Sequence, residues 1–225
     1  MQKLLQHIYI IPLFVSMLLS LKVFRLSWPA QYKNFSILLI IIVVTELFAI
    51  SWKYYFHNNL GNLAYTSSNL WLYNIALIPQ YLLYLRVYYL IIQSPFQKKL
   101  IRILGILFPA FAIINLFFIQ SIHTVNSYTI VVASGIILFL TVCYFDQLRN
   151  ANESIKLTGH PMVWLSLGAF IFHAANLPYI ISLDYLIHKN LSLAIALYYI
   201  YLGLNCILYT FYSIAFLCPK PLLKY

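Results

Sequence analysis

A few polar side chains interrupt long apolar stretches of this sequence, and their types could support binding or proton chemistry. Glu46 lies inside a run of aliphatic residues, and His173 lies within Ala-Phe-Ile-Phe-His-Ala-Ala-Asn-Leu-Pro, which ends at Pro178. A polar or ionisable group in apolar surroundings is costly, so it generally faces a cavity or a polar partner. A carboxylate can hold a cation, carry a proton or accept hydrogen bonds. A neutral histidine can both donate and accept.

Other polar residues accompany these two in the remaining apolar runs. Asn176 follows His173 by three residues and falls on the same helical face. Tyr73, Asn74 and Gln80 surround Pro79 in an earlier run, and Asn205 lies in the last one. These residues predict a polar, ligand-binding site at mid-depth, and the candidates are Glu46, Tyr73, Asn74, Gln80, His173, Asn176 and Asn205. For Glu46 and His173, a structural hydrogen bond between helices and a functional contact both remain open.

The elements that position these residues follow from composition. The 225 residues are 63% hydrophobic and 8% charged, and only four are acidic. Such a chain cannot cover a water-exposed surface, whereas about 20 apolar residues span a ~30 Å hydrocarbon core as a helix. We therefore predict an all-α fold, one polytopic transmembrane domain over residues 1–225. Its seven helices are expected at about residues 4–24, 36–56, 65–92, 101–120, 127–146, 161–184 and 190–218.

Basic residues give this bundle an orientation. Arg25 and Lys33, Lys98 and Lys99, and Arg149 flank alternate ends of the predicted helices, whereas segments 57–64 and 121–126 contain no Lys or Arg. By the positive-inside rule this pattern predicts an outside N-terminus and a cytoplasmic C-terminus in the inner membrane of the cell. The net charge of +10 lies beside apolar runs. That placement favours membrane lipids as partners and argues against nucleic acid.

Catalytic and cofactor signatures are absent from the sequence. There is no HExxH, no Gly-x-Ser-x-Gly elbow and no Walker loop, and segment 190–218 lacks the lysine that a retinal Schiff base needs. The cysteines Cys143, Cys206 and Cys218 and the six histidines show no metal-ligand spacing. We expect no metal and no cofactor. A non-enzymatic role is favoured, although a Glu46–His173 acid/base pair is conceivable.

One segment carries a family resemblance. Asn69-Leu-Trp-Leu-Tyr-Asn-Ile-Ala-Leu-Ile-Pro-Gln-Tyr81, with Glu46 on the preceding helix and Trp164 opening the sixth, resembles a group of seven-helix inner-membrane proteins of Bacteroidota. Members of that group carry Glu at the position of Gln80 and often Tyr at that of His173. The resemblance implies a sensory membrane partner of a histidine kinase.

A second resemblance points to transport. Leu77-Ile-Pro-Gln-Tyr-Leu-Leu-Tyr-Leu-Arg86 is similar to the Pro-Gln motif of PQ-loop transporters, and Asn176-Leu-Pro-Tyr-Ile-Ile181 loosely repeats it. That family has its motifs on the first and fifth helices, whereas here they fall on the third and sixth. Our leading hypothesis is a receptor-like or partner-binding membrane protein, with a cytoplasmic or membrane signalling partner. A small-solute transporter and an intramembrane lipid-modifying enzyme are the alternatives.

Overall fold

The computed structural model describes residues 7–53, 68–150 and 159–220, and all regular secondary structure in these ranges is helical. The predicted all-α fold is therefore confirmed. In chain order the α-helices are α1 (Ile10–Ser20), α2 (Lys22–Arg25), α3 (Ala30–Ser51), α4 (Leu70–Ile91), α5 (Pro95–Ile114), α6 (Ser127–Arg149), α7 (Pro161–Lys189) and α8 (Leu191–Leu217). Helix α5, of 20 residues, continues directly as a π-helical turn, Asn115–Ile119.

Five of these helices are long and apolar enough to cross a membrane: α3, α5 with its π-helical turn, α6, α7 and α8. Each predicted apolar segment contains a helix. However, α1 has only 11 residues, and α4 carries Asn74, Gln80, Arg86 and five tyrosines in 22 residues. Large apolar side chains are strongly exposed on α5 and its extension, as for Phe118 at 83%. The chain is thus an all-α, multi-pass membrane protein.

Several helices extend beyond the predicted bounds. Helix α3 begins six residues early, at Ala30, because the extended backbone of Pro29 immediately precedes it and the polar first turns remain helical. Helix α5 begins at Pro95, since Ser94 Oγ accepts from the Gln97 N–H at 3.5 Å and proline suits the first helical position. Within α3, Glu46 lies 16 residues after Ala30 and five residues before Ser51. The predicted end of this helix, at residue 56, lies outside the described residues.

Six helices close into a ring in the order α1, α3, α4, α6, α7, α8, and α8 packs back on α1. Helix α5 lies outside this ring, against α4 and α6. Helices α7 and α8 approach closely at Gly168, where an added Cβ would lie 2.7 Å from Phe211 Cβ. A closed ring of this kind can enclose a site, while α5 screens one side of it.

The ring has two chemically different ends. We call upper the end at which α1, α4, α6 and α8 begin, where Asn69 Nδ2 donates to the Ala49 carbonyl of α3 at 3.1 Å. At the lower end, Gln147 Nε2 of α6 donates to the Ile91 carbonyl of α4 at 3.1 Å. Among described residues, nine Lys and Arg lie in the lower half, and Lys53 and Lys189 lie at the upper end. The nine are Lys22, Arg25, Lys33, Arg86, Lys98, Lys99, Arg102, Arg149 and Lys220.

The lower half of the ring is filled by aromatic side chains. Phe35 of α3 packs edge-on against Tyr212 of α8, with ring centroids 4.8 Å apart, and against Tyr84 of α4 at 5.8 Å. Trp28 and Phe216 extend this cluster downward and are no more than 2% exposed. Large buried aromatics dominate the packing energy of such cores. These contacts fill the centre of the lower half with packed aromatic side chains.

Candidate ligand-binding cavity

A cavity of about 440 Å³ occupies the upper half of the ring. Its walls come from the segment before α1 and from α3, α4, α6, α7 and α8. All seven residues that the sequence singled out lie in these walls. They are Glu46, Tyr73, Asn74, Gln80, His173, Asn176 and Asn205. Folding thus brings side chains from four different helices to one internal space.

Glu46 is held from two directions. The hydroxyl of Tyr73 on α4 donates to Glu46 Oε2 at 2.8 Å, and the hydroxyl of Tyr9, just before α1, donates to the same oxygen at 3.0 Å. Both are charge-assisted hydrogen bonds when the carboxyl is ionised. The expectation that this carboxyl faces inward toward a polar side chain of another helix is confirmed. The expected partners were Gln80, His173, Asn176, Asn205 or a tyrosine, and the observed partners are tyrosines.

His173 is engaged separately from Glu46. Its Nδ1 lies 3.0 Å from Ser134 Oγ of α6, and the imidazole is 4% exposed. The ring also packs edge-on against Phe172 and Tyr84, with centroids 5.2 and 6.3 Å away. Because the hydrogen bonds of Glu46 and His173 lead to different residues, they do not join these two groups as an acid/base pair.

The asparagines of the cavity wall donate hydrogen bonds to different parts of the structure. Asn74 Nδ2 donates to the carbonyls of Ile122 and Thr124, both at 2.8 Å, and so fixes the turn that leads into α6. Asn205 Nδ2 donates to the Tyr201 carbonyl one turn earlier on α8, at 2.9 Å. These two amides support the wall as well as lining it.

Asn176 differs from the other asparagines. It is 4% exposed, and its Oδ1 is buried without a hydrogen-bond donor among the described residues. Asn176 also borders a smaller cavity of about 160 Å³ between α7 and α8. An unsatisfied buried acceptor commonly costs about 1–3 kcal/mol. Asn176 therefore contributes acceptor capacity that the protein itself does not use.

The prolines near these residues do not end their helices. Helix α4 continues through Pro79, and α7 continues through Pro178. Proline has no N–H, so each of these helices lacks one intrahelical hydrogen bond there. Gln80, directly after Pro79, is half-buried in the cavity wall. The prolines thus lie beside the cavity within otherwise continuous helices.

Tyrosine is the characteristic residue of the cavity, and sequence reasoning missed most of its tyrosines. On α8, Tyr198, Tyr201 and Tyr209 share one helical face with Asn205, at spacings of three and four residues. This spacing is the sequence feature that could have identified them as cavity residues. Tyr201 lies between Tyr198 and Tyr179, with ring centroids 6.3 and 6.0 Å away. The lining tyrosines are Tyr9, Tyr73, Tyr81, Tyr84, Tyr179, Tyr198, Tyr201 and Tyr209.

Two further lining residues were not foreseen. Lys53 follows Glu46 by seven residues, lies two residues beyond the end of α3, and is exposed at the upper rim. Thr45 precedes Glu46, and its Oγ1 donates to the Ile41 carbonyl at 2.8 Å. The spacing of Ile42, Thr45 and Glu46 marks one helical face. That face lines the cavity, whereas neighbouring Val44 is 58% exposed on the outside.

The floor of the cavity is closed by hydrogen bonding and packing. Tyr84, Leu208 and Tyr209 line its lowest part and are each no more than 6% exposed. The Tyr84 and Tyr212 hydroxyls lie 2.6 Å apart and join α4 to α8 at this level. Below them is the aromatic cluster of the lower half. The cavity therefore does not continue through this layer.

In the part of the chain that the structure describes, no group of three or more His, Cys, Asp or Glu side chains could hold a metal ion. The charged groups of the cavity wall are Glu46 and Lys53. Neither protein-family models, nor curated proteins, nor solved structures gave a match to this chain.

Proposed function

We propose that this protein is a non-enzymatic, receptor-like membrane protein that binds a small molecule in the upper cavity. The observation that supports it is the cavity itself, about 440 Å³, whose wall contains all seven polar residues singled out from the sequence, drawn from four helices. Small-molecule sites commonly occupy about 300–1,000 Å³ and combine apolar and aromatic walls with a few polar groups. This cavity has that size and composition.

The membrane orientation follows from charge. In our proposal, seven helices span the inner membrane of a bacterial cell, with the N-terminus outside and the C-terminus in the cytoplasm. The lower half, with nine of the described basic residues, faces the cytoplasm. Helix α4 can span despite its polar side chains, because Tyr73, Asn74 and Gln80 line the cavity rather than meet lipid. Its 22 residues reach about 33 Å at 1.5 Å per residue.

This orientation gives the cavity one accessible side. A ligand enters from outside and meets a floor made by Tyr84, Leu208 and Tyr209, with the Tyr84–Tyr212 hydrogen bond and the aromatic cluster beneath. Such a closed floor supports a receptor more than a solute pathway. The receptor then acts on a separate signalling partner at its cytoplasmic end. The separate hydrogen bonds of Glu46 and His173 give no support to an intramembrane acid/base enzyme.

Cysteine accessibility tests this proposal. Cys143, Cys206 and Cys218 are first replaced by alanine, and Thr45→Cys is introduced on the cavity face of α3. Val44→Cys is the matched control, since it adjoins Thr45 but faces outward. Spheroplasts and inside-out vesicles are then treated with a charged, membrane-impermeant methanethiosulfonate. We expect Thr45→Cys to be labelled from the outside only, and Val44→Cys to react poorly from both sides.

Other labelling patterns decide against the proposal. Labelling of Thr45→Cys from both sides, at comparable rates, would favour a transporter. Failure of Thr45→Cys to react from either side, in a protein with a normal melting curve, would show that solutes do not reach the cavity. Outward labelling together with normal folding is the pattern that a one-sided receptor requires.

A further inference from the structure

We propose that the cavity selects a compact organic cation, a small primary amine in its ammonium form, with Glu46 as the counter-ion. This inference rests on the proposed ligand-binding function and adds the chemical class of the ligand. Three features of the wall support it: a carboxylate, an aromatic surface and a surplus of hydrogen-bond acceptors.

The carboxylate has one oxygen available to a ligand. Tyr9 and Tyr73 both donate to Oε2, and no described residue donates to Oε1. Among described residues, Arg149 forms an ion pair with Asp146, and His188 Nδ1 lies 3.8 Å from Asp184 Oδ1; neither contact involves Glu46. A cation within about 4–6 Å favours the ionised form of a carboxyl over its neutral form. An ammonium group on Oε1 would provide that cation.

The aromatic surface suits the same ligand. Tyr198 and Tyr201 are stacked, with an interplanar angle of 28°, and Tyr179 lies beside Tyr201. The faces of aromatic rings attract cations within about 6 Å of their centroids. The same faces offer apolar contact to the carbon skeleton of an amine. An anion would gain nothing from these ring faces.

The surplus of acceptors favours a ligand that donates hydrogen bonds. Asn176 Oδ1 is a buried acceptor without a described donor. Asn74 already uses its Nδ2 hydrogens on two backbone carbonyls, so the part of its amide left for a ligand is the oxygen. A primary ammonium group carries three N–H donors and no acceptor. Its donors complement the oxygens of Glu46, Asn74 and Asn176.

Lys53 does not replace the ligand as the partner of Glu46. Lys53 is exposed at the rim, two residues beyond the end of α3, and the ion pairs among described residues do not join it to Glu46. Because Lys53 is exposed, its charge is screened by solvent and salt.

Ligand titration of the purified full-length chain in lipid nanodiscs tests the inference. The probes form two matched series: n-butylammonium, 1-butanol and butyrate, and 2-phenylethylammonium, 2-phenylethanol and 3-phenylpropionate. Binding is measured by calorimetry and by saturable shifts in melting temperature. We expect at least one ammonium compound to bind at least tenfold more tightly than its neutral and anionic counterparts.

Charge-matched variants identify the residue responsible. Glu46→Gln keeps the shape of the side chain and should weaken ammonium binding at least tenfold. Asp184→Asn removes the same charge from an exposed site at the upper end and should leave binding unchanged. If Glu46→Gln loses its cooperative melt, Asn176→Leu serves instead. Removing that acceptor should weaken ammonium binding at least threefold.

The outcomes separate the ligand class from the proposed function. Equal binding of alcohol and ammonium, or undiminished ammonium binding in a folded Glu46→Gln, would overturn the cation inference and leave a ligand-binding cavity. If no probe binds but Thr45→Cys is labelled from outside, the ligand class is wrong and the receptor proposal stands. If Thr45→Cys is also unreactive, both are wrong.

Discussion

The hydroxyls of Tyr84 and Tyr212 lie 2.6 Å apart at the level where the cavity ends and the aromatic cluster begins. Tyr84 lines the cavity from α4, whereas Tyr212 on α8 is fully buried against Phe35. A change in the cavity that moves Tyr84 therefore acts directly on the packed lower half. This pair is the clearest physical connection between the proposed site and the lower end of the ring.

Removing one hydroxyl of this pair should destabilise the protein. Tyr84→Phe or Tyr212→Phe leaves the remaining buried hydroxyl without its partner, which commonly costs about 1–3 kcal/mol in the free energy of unfolding. The double variant removes both hydroxyls, so its loss in the free energy of unfolding should be smaller than the sum of the losses in the two single variants. Thermal unfolding in detergent measures these differences, with exposed Tyr185→Phe as control. Single variants that melt like the unaltered protein would show that the pair contributes little.

Gly168 should tolerate no side chain. Gly168→Ala would place a Cβ 2.7 Å from Phe211 Cβ, which lies too near the α8 backbone to move alone, so α7 and α8 must separate. We expect a lower melting temperature and a lower yield of folded protein. Gly135→Ala in α6 is the matched control, because no atom lies within 4 Å of its added Cβ. There, alanine should raise helix stability, by up to about 1 kcal/mol. Equal effects at the two positions would contradict the close approach.

His160 should make stability depend on pH. It precedes α7, lies 3.5 Å from the Tyr144 hydroxyl through Nδ1, and burial lowers the pKa of its imidazole. In the unfolded chain the imidazole takes up a proton near pH 6.5, whereas in the folded protein it does so only at lower pH. The free energy of unfolding should therefore fall as pH decreases below about 6.5. His160→Gln should reduce this loss in melting curves between pH 5 and 8. Exposed His188→Gln serves as control, and identical pH profiles for all three proteins would refute the assignment.

Reporter fusions can determine the orientation of the protein in the membrane. A fluorescent protein fused after Tyr225 should fold and fluoresce, and alkaline phosphatase at the same point should be inactive, because the C-terminus is expected in the cytoplasm. Phosphatase inserted after Thr124, at the upper end, should be active. Activity of the phosphatase fused after Tyr225 would reverse the topology and place the cavity on the cytoplasmic side.

Much of the architecture could be predicted from the sequence. Runs of about 20 apolar residues with few charges favour membrane helices whatever their neighbours are. Each predicted segment contains a helix, and five satisfy the requirements of a span. The polar candidates were recognisable because a buried polar group needs a partner or a cavity. Helix boundaries were less predictable, because α3 and α5 begin directly after the N-cap residues Pro29 and Ser94, ahead of their apolar runs.

The tertiary structure decided which polar groups meet. Tyr9 precedes Glu46 by 37 residues, and sequence spacing alone gave no reason to join its hydroxyl to that carboxylate. The contact depends on α1 lying beside α3, and ring order follows from packing between helices rather than from any local pattern. The same packing separated His173 from Glu46 and directed it to Ser134. Local chemistry could therefore nominate the residues of the cavity, but only the arrangement of the helices determined their partners.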